Sequence, residues 1–231
     1  MKKIRLIHLK LALSATLLLS AAAAQAAADD VASLYGPQPP ANASYLRVLN
    51  ASSQAVRVAL AGSEAPQTLA PGAATRFSVL TQGTPARVTL DGKALGEAAG
   101  AANAGDAVTV ALRHDARGWH GTRIVGRYER IDGLKATLRA FNFAPGCSAT
   151  IGVDGNGPTV FTQVAEGAQG ARAINPVSAK LVGRCGSAAS AALPLPTLAA
   201  GDSYSLFLTG DAARPVLSGT RDALAWPPAA N

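Results

Sequence analysis

The sequence predicts an all-β protein built from two tandem, similar β-sandwich-like domains joined by a short linker. The first observation behind this prediction is a set of short runs in which apolar and polar residues alternate. Successive side chains of a strand point to opposite faces of the sheet, so a period of two marks half-buried strands. The runs in the first half are YLRVLN (45–50), AVRVAL (55–60), TRFSVL (75–80), ARVTL (86–90), AVTVAL (107–112) and TRIVGRY (122–128).

Turn-forming pairs between these runs are the second observation. They are PG at 71–72, QG at 82–83, DG at 91–92 and GD at 105–106. Glycine adopts the positive φ angles that tight turns require, and Asp and Pro also favour turns. We therefore expect each run to be a separate short strand that ends at one of these pairs.

An internal repeat is the third observation. Three anchors recur in the second half at offsets of 92, 95 and 96 residues: Asn50 with Asn142, Gly72 with Gly167, and Gly105 with Gly201. Several short strands in a unit of this size are typical of a β-sandwich. The repeat predicts a first domain over 44–128 and a second over 133–222.

The two ends of the chain have a different character. Residues 1–26 have a basic start, an apolar run and the small-x-small site Ala24–Gln25–Ala26, which indicate a secretory signal peptide and an exported mature chain. Residues 27–43 and 223–231 are rich in Pro and Ala, and we expect a flexible N-terminal arm and a C-terminal tail. No later stretch reaches roughly 20 apolar residues, so no transmembrane segment is expected in the mature chain.

The positive charge of the chain is concentrated in one region. The sequence holds 21 basic and 14 acidic residues, and loss of residues 1–26 leaves 17 basic against the same 14 acidic. Residues 113–139 alone carry a net charge of +4. Because few aromatic residues interleave with these charges and export is expected, we do not expect nucleic acid as a partner.

The two cysteines, Cys147 and Cys185, predict one disulfide. An exported chain meets an oxidising compartment, where paired cysteines usually form such a bond. A metal pair or two free thiols are the alternatives. In the chain-entropy account, closing a loop of this length stabilises the fold by roughly 4 kcal/mol.

The stretch RHDARGWHGTR (113–123) holds two histidines, and metal binding is the first chemistry to test. His114 and His120 would lie about 20 Å apart along one continuous strand, so they could share an ion only if Gly118 folds the loop back. We expect instead an exposed, charged turn between strands that joins the two domains, with Trp119 covering a domain edge. Contact with a partner is the alternative.

Two other motifs resemble catalytic or calcium-binding sites. GDSY (201–204) resembles the start of a serine esterase motif, but no histidine follows His120 to act as the base, and the first repeat has Ala107 in place of Ser203. DGNG (154–157) lacks the Gly and Glu that an EF-hand needs at its sixth and twelfth places. We expect no catalytic residue, no metal and no cofactor.

Four motifs together resemble a known family. They are LYGP (34–37), the strand YLRVLNAS (45–52), INPV (174–177) and LFLTG (206–210). In this combination the chain resembles the AlgF family of periplasmic alginate O-acetylation proteins. The resemblance implies two β-sandwich-like domains and a non-catalytic adaptor that works beside periplasmic and membrane-associated alginate acetyltransferases.

Two segments are candidates for partner binding. The first is the N-terminal docking segment Leu34, Tyr35, Gly36 and Pro37, because an extended Pro-rich strand loses little entropy on binding. The second is the basic stretch, with Arg113, Arg117, Trp119 and Arg123 as contact residues. The alternative function is a polysaccharide-binding module that contacts alginate directly, although such modules usually expose aromatic residues on a sheet face.

Overall fold

The structure is a computed structural model that describes residues 38–61, 65–96, 100–128, 133–155 and 157–227. These residues form strands and turns, with no α-helix among them, which confirms the all-β prediction. The chain divides into two compact units, Met1–Pro39 and Pro40–Asn231. The predicted signal peptide and the LYGP segment lie outside the described residues.

Eighteen strands are described, all of them in the second unit. In chain order they are β1 (Ser44–Asn50), β2 (Val56–Leu60), β3 (Gln67–Leu69), β4 (Phe77–Leu80), β5 (Val88–Leu90), β6 (Lys93–Ala94), β7 (Asp106–Asp115), β8 (Gly118–Arg127), β9 (Ala136–Asn142), β10 (Ala149–Val153), β11 (Thr159–Val164), β12 (Gln169–Ile174), β13 (Lys180–Cys185), β14 (Ala188–Ala189), β15 (Leu193–Pro194), β16 (Ser203–Gly210), β17 (Pro215–Arg221) and β18 (Leu224–Ala225).

The first half of the repeat is a β-sandwich-like pair of sheets. One sheet has the strand order β18-β4-β1-β7-β8 and the other the order β3-β2-β5-β6. Apolar side chains from both sheets meet between them, among them Leu46, Val58, Val88 and Val110. The Asp-Gly pair at 91–92 forms the β5–β6 turn with positive φ at both residues, as a tight hairpin turn requires.

The second half has the same plan. One sheet has the order β12-β9-β16-β17, and the other has the order β11-β10-β13-β14 with β15 also paired to β13. Leu138, Ile151 and Leu206 contribute to the core between them. Cys147 and Cys185 form a disulfide inside this core, with 5.3 Å between their Cα atoms, as predicted.

Matching hydrogen bonds confirm the duplication. The Asn50 side-chain amide donates to two backbone carbonyls at 2.8 and 3.0 Å, and that of Asn142 donates to two at 2.7 and 2.8 Å. The backbone N–H of Gly72 donates to the Asn50 carbonyl, and that of Gly167 donates to the Asn142 carbonyl. β1 pairs in parallel with β7, and β9 pairs in parallel with β16.

The halves pack against each other through the sheets that contain β1 and β9. A third apolar cluster fills this interface: Leu49, Ala111, Ile124, Phe141, Phe143 and Phe207. The expectation that β1 is half-buried is therefore wrong, because its second face meets the other half instead of solvent. The C-terminal segment predicted as a tail contains β18, which pairs with β4 of the first half. Independent folding of the two halves stays a prediction.

Candidate partner-binding surface

The basic stretch 113–123 is the end of a hairpin. β7 and β8 pair along ten residues each, and a two-residue turn at Ala116 and Arg117 joins them between Asp115 and Gly118. The prediction of an exposed turn between strands is therefore confirmed. The interpretation of this stretch as the join between the halves is wrong, because β7 and β8 both belong to a sheet of the first half. The chain passes from one half to the other after Tyr128, through residues 129–135, of which 129–132 lie outside the described part.

Arg113 ties the hairpin to the second half of the molecule. Its guanidinium donates to the backbone carbonyl of Phe143 and, at 3.4 Å, to that of Gly210. Burial lowers the pKa of Arg113, and the carboxylates of Glu166 and Asp211 act in the opposite direction. This arginine is therefore held by the fold itself and is only partly open to a partner.

Trp119 and Arg123 lie on the opposite face of the hairpin from Arg113. The Trp119 ring packs against the first-half core and lies edge-on to His114, with 4.9 Å between ring centroids. The Arg123 guanidinium donates to the carbonyl of Ala101 at 2.6 Å. The predicted contact residues therefore do not form one continuous basic patch.

Arg117 is the most exposed of the four predicted hairpin residues. It occupies the turn, where its backbone N–H donates to the Asp115 carboxylate at 2.8 Å. The same carboxylate lies 3.8 Å from Nδ1 of His120. A partner can reach Arg117 and His120 without disturbing the core. The other predicted docking residues, Leu34 to Pro37, lie outside the described residues.

A cleft of 470 Å³ adjoins the hairpin, on the face that carries Arg113 and His120. It is built from both halves, with Thr122 on one wall and Pro145 and Glu166 on another. Glu166 is held by the backbone N–H of Gly146, which donates to its carboxylate at 2.8 Å. The cleft thus offers an apolar surface between a cationic wall and an anionic wall, and both are positioned by main-chain contacts.

A buried polar cluster lies between the two halves. Arg47 donates to Asp222 at 2.6 Å, to Thr109 at 2.9 Å and to Ser205 at 2.7 Å. The side chains of Arg47 and Asp222 are each 1% exposed. Burial lowers the pKa of Arg47, whereas the neighbouring Asp222 raises it.

Arg139 approaches the same carboxylate from the second half. Its guanidinium lies 3.4 Å from Asp222 and donates to the Ser203 hydroxyl. Ser203 itself donates to the Asp222 carboxylate at 2.8 Å. The carboxylate oxygens of Asp222 therefore already accept hydrogen bonds from two arginines and two serines, and Ser203 is held in an ion-pair network without a histidine.

This cluster was not predicted, although the repeat contains a signal for it. Arg47 and Arg139 occupy matching places in LRVLN (46–50) and LRAFN (138–142). Each is a charged residue in a strand that is otherwise almost wholly apolar. Such a residue at the same place in both copies indicates a buried interface. Asp222 gives no comparable signal, because it follows β17 in a segment without alternation.

The two histidines of the hairpin do not share a face. His114 and His120 point to opposite faces of the hairpin, since His114 pairs with Trp119 and Arg113 pairs with His120. No three His, Cys, Asp or Glu side chains of the described residues lie close enough together to hold a metal ion. No helix among the described residues has the length and apolar character needed to span a membrane.

Comparison with known proteins gives one family. The family described as "Alginate O-acetyl transferase AlgF" matches residues 16–205. A solved structure of the C-terminal domain of AlgF from P. aeruginosa is 29% identical and covers 38% of this chain and 98% of its own, with a TM-score of 0.34. A putative cell adhesion protein from Bacteroides ovatus is 11% identical and covers 81% of this chain and 97% of its own, with a TM-score of 0.25.

The search of curated proteins found no match. The family match spans well over half of the chain, and the motifs LYGP, YLRVLNAS and INPV lie within it. The chain therefore belongs to the AlgF family, whose description connects it with the O-acetylation of alginate.

Proposed function

We propose that this protein is a non-catalytic periplasmic adaptor in alginate O-acetylation, which holds acetyltransferase components through protein–protein contacts. The family connects the chain with this reaction. The observation that carries the proposal is the cleft beside the β7–β8 hairpin, which is shared by both halves of the molecule. A partner that binds in this cleft contacts both halves of the molecule at once, as expected of a scaffold.

The non-catalytic part of the proposal is supported by the chemistry of Ser203. A serine nucleophile needs an accessible hydroxyl and a base that takes its proton. Here Ser203 donates to Asp222, whose side chain is 1% exposed and is neutralised by Arg47. The arrangement stabilises the interface between the halves and leaves no free base next to the hydroxyl.

The adaptor would act by raising effective concentration. Holding an acetyltransferase close to its donor or its polymer makes the encounter intramolecular, so the rate rises without any new chemistry. Thr122, Pro145 and Glu166 line the cleft, and Arg117 is exposed at the turn of the same hairpin. A complementary partner would place an acidic group against Arg117 and an apolar side chain against Pro145.

A capture experiment tests this surface. The mature, tagged protein is incubated with a purified alginate acetyltransferase of the same system, and bound enzyme is measured at low and high salt. We expect Arg117→Glu combined with Thr122→Lys to reduce capture at least tenfold at low salt and less at high salt, because exposed charge pairs are screened. Arg57→Gln, which makes the same net charge change of −1 at an exposed residue of β2, is the matched control and should capture normally.

Unchanged capture by the hairpin variant would refute this surface as the partner site.

The enzymatic alternative is tested on the same material with a chromogenic acetyl ester. We expect no acetate release from the wild-type protein, and no difference between it and Ser203→Ala. Ester cleavage that is abolished by Ser203→Ala would overturn the adaptor proposal.

A further inference from the structure

The outer edge of β8 has main-chain groups that are free to pair. β8 is the last strand of its sheet and is hydrogen-bonded to β7 on one side. Alternate residues of an antiparallel strand bond to the same neighbour. The backbone N–H of Tyr128 donates to the Gly105 carbonyl at 3.0 Å, so the even-numbered residues of β8 face β7. The odd-numbered residues face outward, and no described residue is hydrogen-bonded to their main-chain groups: Trp119, Gly121, Arg123, Val125 and Arg127.

β8 is also long and regular for an edge strand. It has ten residues and pairs with β7 without a register shift. The other edge strands among the described residues have two to seven residues. The matching strand of the second half, β17, begins at Pro215, and the pairing of β11 is irregular. Proteins usually protect sheet edges by short strands, prolines or bulges, and β8 has none of these.

The two arginines of β8 are drawn towards a neighbouring loop. The Arg123 guanidinium donates to the carbonyl of Ala101 at 2.6 Å, and that of Arg127 donates to the carbonyl of Ala104 at 2.8 Å. Val125, between them on the same face, is 46% exposed. An incoming chain can therefore reach the main chain of β8 and contact an apolar side chain that the fold leaves open.

The cleft described above runs along the same strand. His120 and Thr122 line it from β8, and Pro145 and Glu166 line it from the second half. Successive side chains of a strand point to opposite faces of the sheet. A strand added beside β8 would therefore direct alternate side chains into the cleft, next to His120 and Thr122. The free edge and the cleft together form one binding site.

We propose that the outer edge of β8 receives an extended acidic segment of an alginate acetyltransferase, which adds one strand to the sheet and places alternate side chains in the cleft. The choice of an acetyltransferase rests on the proposed function. In strand addition, main-chain hydrogen bonds supply affinity and the side-chain pockets supply specificity.

The charge of the hairpin favours an acidic partner. Residues 116–128 contain three arginines and no acidic residue. Carboxylates of an added strand would lie close to these guanidinium groups, which bind them well. A second copy of the chain is disfavoured, because pairing β8 with β8 would bring the same arginines together, and like charges across an interface are costly.

Amide hydrogen exchange of the mature protein, alone and bound to a purified alginate acetyltransferase, tests the pairing. We expect the outward amides of Gly121, Arg123 and Val125 to exchange at least tenfold more slowly in the complex. The amides of Thr122 and Ile124 face β7 already and should change much less. This alternation is specific to strand addition, since docking through side chains alone does not form new main-chain hydrogen bonds at every second residue.

A proline substitution tests the same contact by capture. Val125→Pro removes one outward N–H, at an edge position where proline is tolerated because the lost group does not bond to β7. We expect it to reduce acetyltransferase capture at least tenfold. Val125→Thr is the matched control, because it keeps the N–H and the β-branched shape, and it should capture normally. The exchange measurement uses the wild-type protein and does not depend on the folding of either variant.

The outcomes separate this proposal from the adaptor proposal. Capture by the wild type without alternating protection, or normal capture by Val125→Pro, would overturn strand addition and leave the adaptor role standing. Absence of capture by the wild type would overturn both. Protection of the outward amides in the protein alone, rising with its concentration, would identify a second copy as the occupant and overturn the assignment of the partner.

Discussion

Replacing Arg47 tests how strongly the buried cluster holds the two halves together. Arg47→Met keeps most of the side-chain volume but removes the charge and every donor. Three hydrogen bonds are lost, one of them to a carboxylate at 2.6 Å. The guanidinium also lies over the rings of Phe77, Phe141 and Phe207, at 4.3 to 5.0 Å from their centroids. These contacts span both halves of the molecule.

The expected cost is about 4 kcal/mol of unfolding free energy. A hydrogen bond to a charged group contributes about 1.5–3 kcal/mol, and each bond to a neutral hydroxyl contributes about 1 kcal/mol. An independent figure agrees with this sum: removing one partner of a buried ion pair costs about 3–5 kcal/mol, because the remaining charge stays buried. For a unit of this size, 4 kcal/mol lowers the Tm by about 8–16 °C.

Differential scanning calorimetry measures this shift directly. Arg127→Met is the matched control, because Arg127 pairs with Asp106 at 3.4 Å on the surface, where such a pair contributes at most about 1 kcal/mol. If Arg47→Met lowers the Tm by no more than this control does, the cluster contributes little and the argument from burial is refuted. We also expect the variant to unfold in two steps, since each half has its own core.

Three further predictions concern the repeat, the disulfide and pH. Asn50→Ala and Asn142→Ala should each lower the free energy of unfolding by about 2–3 kcal/mol, measured by urea titration, because each leaves buried carbonyls without a donor. Unequal losses would contradict the equivalence of the two asparagines. Cys147→Ala with Cys185→Ala should cost about 4 kcal/mol, lowering the urea midpoint of the oxidised protein. The Ala199 backbone N–H and the Arg221 guanidinium donate hydrogen bonds that lower the pKa of Asp202 from its usual value. The stability advantage of wild type over Asp202→Asn should therefore be present near neutral pH and be lost as the pH falls through that lowered pKa.

The strands, the repeat and the disulfide were predictable because each leaves a local signal. Alternation over a few residues marks a strand, and an Asp-Gly pair marks a hairpin turn. The recurrence of Asn50 as Asn142 was visible because its side chain serves a local purpose. It satisfies backbone groups within about 22 residues of itself in both copies.

The face that each strand buries was not predictable in the same way. Alternation in β1 predicts one buried face and one solvated face, with Arg47 on the solvated side. The second half covers that face through contacts more than 150 residues distant in sequence. The faces of the basic hairpin were not predictable for a related reason. A turn was expected in this stretch, but its exact place at Ala116 and Arg117 decides that Arg113 and Arg123 lie on opposite faces.

The two halves contact each other as the subunits of a two-fold symmetric dimer do, although they belong to one chain. Leu49 pairs with Ala111 across β1 and β7, and Phe141 pairs with Phe207 at the matching places in β9 and β16. All four lie in the shared apolar cluster, so each half presents the same positions to the other. Such symmetry also brings Arg47 and Arg139 together, and two like charges without a counter-ion would drive the halves apart. A single carboxylate outside the repeated pattern, Asp222, lies between the two guanidinium groups and offsets most of that repulsion, so this part of the interface departs from the symmetry.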